Sequence, residues 1–386
     1  MKIIHTSDWH IGRTFEGESL EADQRGFLEW LAAEVDRTSA DHVIVAGDIY
    51  DRAIPSVEAV SLLDDGLDLI REAGAEVIMI SGNHDSATRL GFGARRQALS
   101  GVHVAAQPEL APSPMLLGDG ALAVLAIPFL EPQSARAPRP GPDGEIRKRT
   151  HQAVLADAIE DGRAALEALA PDVPAIAVAH AFVSGASPSD SERTLSVGGT
   201  DRVDPGVLAG FAYVALGHLH SPQTVGAGDR IAYSGSPLAY SFSETAPKSV
   251  RLLEIEGSDV SVTEVPIPVG RRASTITGTL EELLEDPSHD AVVDDWVRAV
   301  LTDEVIRHMP KETLRRRFPR LVNVSYARRR SGPISGAGAA GVRRESRDPE
   351  QTIRDFVEDL RGRPATEAEV TLLDEALAEA IRGADR

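Results

Sequence analysis

Five short segments of this 386-residue chain together supply histidine, aspartate and asparagine side chains. They are Asp8-Trp9-His10, Gly47-Asp48 with Asp51, Gly82-Asn83-His84-Asp85, the lone His180, and Gly217-His218-Leu219-His220. Imidazole, carboxylate and amide oxygen without thiolate suit Mn²⁺, Fe²⁺ or Zn²⁺. Seven candidate ligands are too many for one tetrahedral ion but suit two ions that share a carboxylate. Two such ions, about 3.5–4 Å apart, clamp a phosphoryl group and activate a bound water. These residues therefore predict metal-assisted phosphoester hydrolysis.

Each segment has a less specific interpretation when it is taken alone. An isolated Asp-x-His is typical of a surface loop, and Gly-Asp after a strand is an ordinary turn. A single histidine on an apolar strand, such as His180, is typical of a satisfied core residue. The combination of all five segments, each just after a predicted strand, favours a metal site.

The segments follow short apolar runs that predict buried strands. These runs are Ile3-Ile4, Val43–Ala46, Val77–Ile80 and Ile176–Ala179, with further strands at 212–216, 231–234 and 250–256. Helical spacing of apolar residues between the runs, and again at 150–169, predicts helices outside the sheet. Ligands of open α/β sheets bind at the carboxyl ends of the strands, where the five segments would converge. Glycines at 47, 82 and 217 would allow tight turns there.

Composition changes along the chain and divides it into four predicted parts. Residues 1–258 form the strand–helix domain, and 259–330 form a smaller α+β unit with a helical stretch at Asp294–Leu301. Residues 331–347 read as a flexible linker. Residues 348–386 contain two amphipathic helices. Their apolar faces are Ile353, Phe356, Val357 and Leu360 in the first, and Val370, Leu373, Leu377 and Ile381 in the second.

The formal net charge of −20 argues at first against a nucleic-acid partner. The charge is unevenly placed, however, because residues 311–347 carry eleven basic and two acidic side chains. The absence of cysteine excludes disulfides, thiolate catalysis and Cys-ligated metals. No signal peptide is visible and no apolar run reaches the roughly 18 residues of a membrane span, so we expect a cytoplasmic, nucleoid-associated protein without membrane contact.

The ordered set of five segments resembles the calcineurin-like metallophosphoesterase superfamily. Within it, closer similarity to the SbcD family of bacterial nuclease subunits appears in the opening twelve residues, Val43–Asp51, Ser81–Ser86, Tyr213–His220 and Tyr233–Leu238. The resemblance implies an α/β fold, a four-layer α/β/β/α sandwich of two mixed sheets. It also implies a small α+β capping domain and C-terminal helices.

The resemblance also implies a role for each site residue. Asp8, His10 and His220 would hold one metal, Asn83, His180 and His218 would hold the other, and Asp48 would bridge them. His84 would face the scissile phosphate, and Asp51 would orient His84. Mn²⁺ is favoured, with Mg²⁺, Fe²⁺ or Zn²⁺ as alternatives.

The SbcD family implies a double-strand exonuclease and a single-strand or hairpin endonuclease in DNA repair, recombination and replication. Its activity would depend on ATP through a coiled-coil ATPase partner, SbcC, with a homodimer of this chain inside a heterotetramer. Residues 348–386 would bind the ATPase and 259–330 would guide DNA. Seven arginines could contact DNA phosphates: Arg315, Arg316, Arg317, Arg320, Arg328, Arg329 and Arg330.

Several alternatives stay open at the level of sequence. The arginines could instead form a solvated strand edge or contact the acidic ATPase, and the terminal helices could pack on their own domain. The same metal ligands would also serve a nucleotide or cyclic-nucleotide phosphodiesterase or a phosphoprotein phosphatase. A non-enzymatic scaffold is disfavoured because it would not need the full set of ligands.

Overall fold

The computed structural model describes residues 1–108, 113–133, 139, 148–192, 202–226, 228–327, 357, 363 and 365–384. The chain separates into two compact units, residues 1–327 and 328–386. All seven candidate metal ligands lie in the first unit. Among the described helices, none is both long and apolar enough to cross a membrane.

Strands dominate the first unit. In the described ranges they are β1 (Lys2–Thr6), β2 (Thr14–Phe15), β3 (Glu18–Ser19), β4 (His42–Val45), β5 (Glu76–Ile80), β6 (Val102–Ala105), β7 (Met115–Leu117), β8 (Leu122–Ile127), β9 (Ala175–His180), β10 (Phe182–Val183), β11 (Arg202–Val203), β12 (Tyr213–Gly217), β13 (Gln223–Thr224), β14 (Ile231–Tyr233), β15 (Ser249–Glu256), β16 (Asp259–Pro266), β17 (Ala273–Gly278), β18 (Trp296–Leu301) and β19 (Leu321–Tyr326).

Helices connect many of these strands. Over the same ranges they are α1 (Glu21–Thr38), α2 (Val57–Glu72), α3 (Ala87–Leu90), α4 (Ala94–Gln97), α5 (His151–Leu169), α6 (Leu280–Glu285), α7 (Pro310–Arg315) and α8 (Glu367–Ala384). Short 3₁₀ turns lie at Ala98–Ser100, Pro205–Leu208 and Pro287–Val292.

The first sheet has the strand order β16–β15–β1–β4–β5–β6. Its last four strands are parallel, and β15 and β16 form an antiparallel hairpin on one edge. The parallel strands are apolar on both faces, as expected for strands that are covered on both sides. Ile4 and Val43 pack on the α1 and α2 side, whereas Ile3 and Ile44 pack toward the second sheet.

The second sheet has the order β13–β14–β12–β9–β8–β7, with four parallel strands in the middle. Leu125 and Ala177 pack with α5, whereas Val124 and Ile176 pack with the first sheet. The layers are therefore α1 and α2, first sheet, second sheet, and α5. This arrangement confirms the predicted four-layer α/β/β/α fold.

A smaller sheet, β17–β18–β19, follows the sandwich and is parallel throughout. Leu283 of α6 and Leu314 of α7 are fully buried against it. This cap packs on the hairpin of β2 and β3, where the rings of Phe15 and Trp296 stack with centroids 5.7 Å apart. The hairpin directly follows the His10 segment, so the cap is attached beside the candidate site.

Two details of the cap differ from the sequence prediction. The boundary after residue 258 falls inside a hairpin, because β16 pairs with β15 and extends the first sheet to Pro266. The predicted helix at Asp294–Leu301 is wrong, since Trp296–Leu301 is the central strand β18. A short apolar run buried on both faces cannot be assigned to helix or strand by periodicity alone. Trp296–Leu301 forms a strand because it pairs with β17 on one side and β19 on the other.

The second unit contributes the helix α8, which confirms the second predicted terminal helix. Val370, Leu373 and Leu377 are partly buried on one side of it, and Leu372 is 65% exposed. The side chain of Ile381 lies outside the described residues. So do the predicted linker 331–347, Arg328–Arg330 and the first terminal helix with Ile353, Phe356 and Leu360. Val357 is described only as a partly buried helical residue.

His5 in β1 predicts how stability depends on pH. It is fully buried, with Nδ1 2.9 Å from the Tyr213 hydroxyl and Nε2 3.2 Å from the Leu216 carbonyl. Burial, aided by the charge of Arg251, lowers the pKa of His5 to about 3. Below about pH 6.5 the His5 imidazole is therefore protonated in the unfolded chain but stays neutral in the folded chain. The free energy of unfolding falls as the pH drops. At pH 5 we expect a loss of about 2 kcal/mol from this residue.

The measurement is the free energy of unfolding in urea at pH 7 and pH 5, with metals chelated. His5→Gln should show a smaller difference between the two pH values than the unaltered chain. Other buried histidines contribute equally to both proteins. An identical pH dependence in both would contradict the assignment to His5.

Candidate metal centre

The five segments converge at one edge of the sandwich. Each lies at or just after the carboxyl end of β1, β4, β5, β9 or β12, as predicted. Among the described residues, three groups of side chains each bring their ligand atoms within 4.8 Å of one another. They are Asp8 with His10 and His220, His10 with Asp48 and His84, and Asp8 with Asp48 and His180. Residues separated by more than 200 positions in the sequence thus share one buried site.

One trio of candidate ligands is formed by Asp8, His10 and His220. All three are buried, and the two imidazoles face each other with their Nε2 atoms 3.1 Å apart. The Asp8 carboxylate accepts hydrogen bonds from the Ser7 hydroxyl at 2.6 Å and from the His218 amide at 3.1 Å. These contacts fix the carboxylate beside the paired imidazoles.

A second trio is formed by Asn83, His180 and His218. The Asn83 side-chain oxygen lies 2.9 Å from His180 Nε2 and 3.2 Å from His218 Nδ1. On its other side, His180 Nδ1 donates to the Ala46 carbonyl at 2.9 Å. A carbonyl can only accept, so the proton of His180 lies on Nδ1 and Nε2 keeps its lone pair.

Asp48 lies between the two trios. Its Oδ2 is 3.5 Å from His10 Nε2 of the first trio and 3.5 Å from His180 Nε2 of the second. Its Oδ1 accepts the backbone amide of His84 at 2.9 Å. One carboxylate thus reaches both groups of imidazoles, which is the arrangement that a bridging ligand requires.

The electrostatics of the site favour bound cations. Burial, together with the charge of Asp48, raises the pKa of Asp8 well above its usual value. Burial also lowers the pKa values of His10, His180 and His218, which keeps these imidazoles neutral and able to bind a metal. His10 Nδ1 and Asn83 Nδ2 are buried without a hydrogen-bond partner among the described residues. Neutral imidazoles around two buried carboxylates fit divalent metal ions.

The backbone of the site is in an uncommon conformation. Asp8, His10, Asp48 and His218 have positive φ angles of 53°, 44°, 51° and 107°. Such values are uncommon for residues other than glycine and cluster at functional sites. Gly82 is needed for close approach, since a Cβ there would lie 2.1 Å from Asp48 Oδ1. The fold therefore holds these segments in place against local strain.

The structure corrects the predicted contact between Asp51 and His84. His84 is half-buried, and its Nδ1 donates to the backbone carbonyl of Asp51 at 2.8 Å rather than to the carboxylate. The carboxylate turns instead toward three other cationic or donor groups. Its Oδ1 lies 3.4 Å from Arg13 Nη1 and 3.6 Å from His10 Nδ1, and its Oδ2 lies 3.6 Å from Arg52 Nε. The attraction of the Arg13 guanidinium explains this orientation.

Several residues of the site were not predicted. The Asp85 carboxylate accepts the backbone amides of Ile49, Tyr50 and Gly82 and so joins the loops after β4 and β5. On the far side of His220 lie Ser191, Glu192, Glu244 and Lys248. Asp85 belongs to the Gly-Asn-His-Asp segment, which could have drawn attention to it. The other four have no spacing signal in the sequence.

The predicted cap arginines are only partly available for DNA. Arg315 contacts Glu18 at 3.1 Å, and Arg317 contacts Asp290 at 2.7 Å and two backbone carbonyls. Arg316 and Arg320 are exposed, although Arg320 lies over the Trp296 ring. The structure brings none of these four into contact with the candidate ligands that it describes.

Comparison with known proteins agrees with this geometry. The family model of the calcineurin-like phosphoesterases matches residues 1–222, more than half of the chain. The SbcD subunit of the nuclease SbcCD from Staphylococcus epidermidis is 31% identical over 330 residues, covering 84% of this chain and 85% of its own length. This chain belongs to the SbcD family. The corresponding SbcCD subunit of Staphylococcus saprophyticus is 32% identical over 291 residues, covering 74% of each chain.

The SbcD-family assignment extends beyond the sandwich. A second family model, described as the type 5 capsule protein repressor C-terminal domain, matches residues 271–360.

Among solved structures, TT1561 of Thermus thermophilus is 15% identical and covers 68% of this chain and 98% of its own, with a TM-score of 0.40. A dimetal phosphatase from Danio rerio is 12% identical and covers 69% and 99%, with a TM-score of 0.39. The SbcD-family fold and its cluster of histidines and aspartates are those of a phosphoesterase that uses divalent metals.

Proposed function

We propose that this chain is a two-metal DNA phosphodiesterase that acts as the nuclease subunit of a complex with an SbcC-like coiled-coil ATPase. Its activities are a double-strand exonuclease and a single-strand or hairpin endonuclease, in DNA repair and recombination. The observation that supports this most directly is the position of Asp48 Oδ2, 3.5 Å from an imidazole of each trio. The names of the two relatives support the substrate and the partner.

The proposed ligands follow the two trios. Asp8, His10 and His220 hold one ion, Asn83, His180 and His218 hold the other, and Asp48 bridges them. When bound, the two ions polarise the phosphodiester and supply a nucleophilic water. Mn²⁺ fits a set of imidazole, carboxylate and amide ligands without thiolate, and we propose it as the metal in use.

His84 acts on the substrate rather than on the metals. Its Nδ1 donates to the Asp51 carbonyl, which fixes the ring and leaves Nε2 for the substrate. We assign to Nε2 the stabilisation of negative charge on the phosphate and protonation of the departing sugar oxygen. Asp51 positions His84 through its backbone carbonyl.

The experiment that tests this function combines purification with an assay. The tagged chain should co-purify with the ATPase, and the complex should degrade DNA ends with Mn²⁺ and ATP. Chelation of metal should abolish hydrolysis, and Mn²⁺ should restore it. If the purified chain hydrolysed only nucleotides or phosphopeptides and never DNA, the nuclease assignment would be wrong, although the dimetal site would stand.

The cap is proposed to guide DNA through its exposed arginines. We expect Arg316→Ala with Arg320→Ala to lower DNA affinity and to reduce the salt dependence of binding. The slope of log K against log salt should fall by about 0.9 for each lost phosphate contact. Fluorescence anisotropy at several salt concentrations measures this. Arg317→Ala is the control, because its contacts are internal and its loss should lower stability without changing the slope. An unchanged slope in the double variant would favour contact with protein.

The C-terminal residues are proposed to bind the ATPase. In α8, the side of the helix with Val370, Leu373 and Leu377 offers an apolar face suited to a partner groove. Deletion of residues 345–386 should abolish formation of the complex in size-exclusion chromatography while metal binding stays unchanged. Leu372→Ala, on the exposed side of α8, should leave the complex intact. Complex formation by the truncated chain would refute this role.

A homodimer of the chain within the complex is part of the proposal, as is a place at the nucleoid in the cytoplasm. A set of exposed apolar residues on the segments after β4 and β5 supports self-association. Its side chains are Ile54, Val57, Phe92 and Leu99, which are 71%, 78%, 84% and 89% exposed. The Arg89 guanidinium donates to the Ala53 carbonyl at 3.3 Å and joins two of the loops that carry them. Apolar exposure of this kind is typical of an interface.

A further inference from the structure

His220 is backed by a chain of hydrogen bonds that leads away from the candidate site. Its Nδ1 lies 2.6 Å from the Ser191 hydroxyl oxygen. The Ser191 hydroxyl donates to Glu244 Oε1, and Glu244 Oε2 accepts from the Lys248 ammonium. Nδ1 also lies 3.5 Å from Glu244 Oε1. His220, Glu244 and Lys248 are almost wholly shielded from solvent.

The direction of each hydrogen bond in this chain is determined by chemistry. Lys248 can only donate, and the ionised Glu244 can only accept. Ser191 gives its one proton to Glu244, so its oxygen can only accept at its remaining contacts, which are His220 Nδ1 and the Ser189 hydroxyl 2.9 Å away. The proton between Ser191 and His220 therefore belongs to Nδ1. The lone pair of the neutral imidazole is then on Nε2, the atom that faces His10.

The backbone of His220 is held by the same residues. Its amide donates to Glu192 Oε1 at 2.8 Å, and its carbonyl accepts from Lys248 Nζ at 2.9 Å. Lys248 Nζ also contacts Ser236 Oγ at 2.9 Å, so its three donors are all occupied. Both the ring and the main chain of His220 are thus fixed by one network.

The second trio has no equivalent among the described residues. The His180 imidazole is backed by a neutral carbonyl, that of Ala46. A carboxylate behind an imidazole orients the ring and raises its basicity as a ligand, whereas a carbonyl does this more weakly. The two proposed metal positions therefore differ in the hydrogen-bond partners of their imidazoles, which are Ser191 and Glu244 for His220 and the Ala46 carbonyl for His180.

We propose that Ser191 and Glu244, with Lys248 as counter-ion, are positioning residues that fix the tautomer and orientation of His220 for one of the two metals. The inference rests on the dimetal site of the proposed function. It goes beyond that function by predicting that the two metal positions respond differently to changes at Ser191 and Glu244.

The test uses the full-length chain. In ¹⁵N-histidine NMR of the metal-free protein, the signal lost in His220→Gln identifies His220, and its shifts should report the Nδ1–H tautomer. Ser191→Ala should change the tautomer populations. In calorimetric titration with Mn²⁺, Ser191→Ala should lower the affinity for one of the two ions by about 10–100-fold. The affinity for the other ion should change by no more than a few-fold. Ser191→Thr, which keeps the hydroxyl, should restore both properties.

A second variant and a control complete the experiment. Glu244→Gln combined with Lys248→Met removes the ion pair without leaving a buried charge. This double variant should lower the affinity for the same ion. Ser261→Ala, on the outer strand β16, should change neither tautomer nor affinity. An unchanged tautomer and two unchanged affinities in Ser191→Ala would overturn the proposal. An equal loss of affinity for both ions in Ser191→Ala, together with a lower melting temperature, would also overturn it. Failure of the unaltered chain to bind a second ion would overturn the dimetal assignment itself, and the proposal with it.

Discussion

Replacement of His84 by glutamine should reduce DNA hydrolysis by about 10²–10⁴-fold while the chain still binds two Mn²⁺ ions. The reason is that His84 belongs to neither proposed ligand trio. Its Nδ1 is occupied by the Asp51 carbonyl, so its contribution is made through Nε2 to the substrate. Glutamine is of similar length but cannot take up or release a proton in the relevant range. Loss of proton transfer with retention of metals is therefore expected.

Two measurements separate the roles of His84. Metal content by mass spectrometry should stay at two ions per chain in His84→Gln. Hydrolysis of a nitrophenyl phosphodiester should fall less than hydrolysis of DNA, because nitrophenolate leaves without protonation. His103→Gln is the control, since His103 lies on β6 and pairs with Glu76 at 3.3 Å, outside the site. Loss of one ion in His84→Gln would show that His84 is a ligand, a possibility left by its proximity to His10 and Asp48.

Replacement of Gly217 by alanine should destabilise the fold by about 3 kcal/mol or more. Gly217 ends β12, and a Cβ there would lie 1.9 Å from the Ala46 carbonyl oxygen and 2.9 Å from His180 Nδ1. The first overlap is with backbone, so no side-chain rotation can relieve it. The end of β12 would have to move away from the end of β4, and the candidate ligands on both would separate.

The matched control is Gly26→Ala in α1, where a Cβ would meet no atom within 4 Å. Alanine in a helix is preferred over glycine by up to about 1 kcal/mol, so this change should be neutral or stabilising. Urea unfolding measures both variants, and Mn²⁺ titration shows whether the site survives. Equal stability of the two alanine variants would mean that the strand ends are not as tightly packed as the structure indicates.

Much of the fold could be predicted because local pattern and global arrangement agree. The strands at Val43–Ala46 and Val77–Ile80 are apolar runs that end in glycine and polar residues, and parallel strands place such ends together. The convergence of the candidate metal ligands could be predicted for the same reason. Asp-x-His and His-x-His are short-range patterns, and their convergence follows once the strands are parallel.

The parts that could not be predicted depend on contacts between distant positions. Trp296–Leu301 is a strand because two neighbours pair with it, which its own sequence does not reveal. Ser191 and Glu244 meet His220 across 29 and 24 positions, with no periodicity between them. For Asp51, the residue was correctly placed near His84, but the choice between carbonyl and carboxylate depends on the position of Arg13.

Each proposed metal ion draws ligands from both sheets of the sandwich. The first ion takes Asp8 and His10 after β1 and His220 after β12, and the second takes Asn83 after β5 and His180 at the end of β9. The ions would therefore act as cross-links between two layers that otherwise hold together through apolar packing and a few buried hydrogen bonds, such as that between His5 and Tyr213. Any opening of the layers at this edge must first release metal, so loading should raise the melting temperature and protect the amides of the strand ends from exchange. The metals would therefore stabilise the fold in addition to taking part in catalysis.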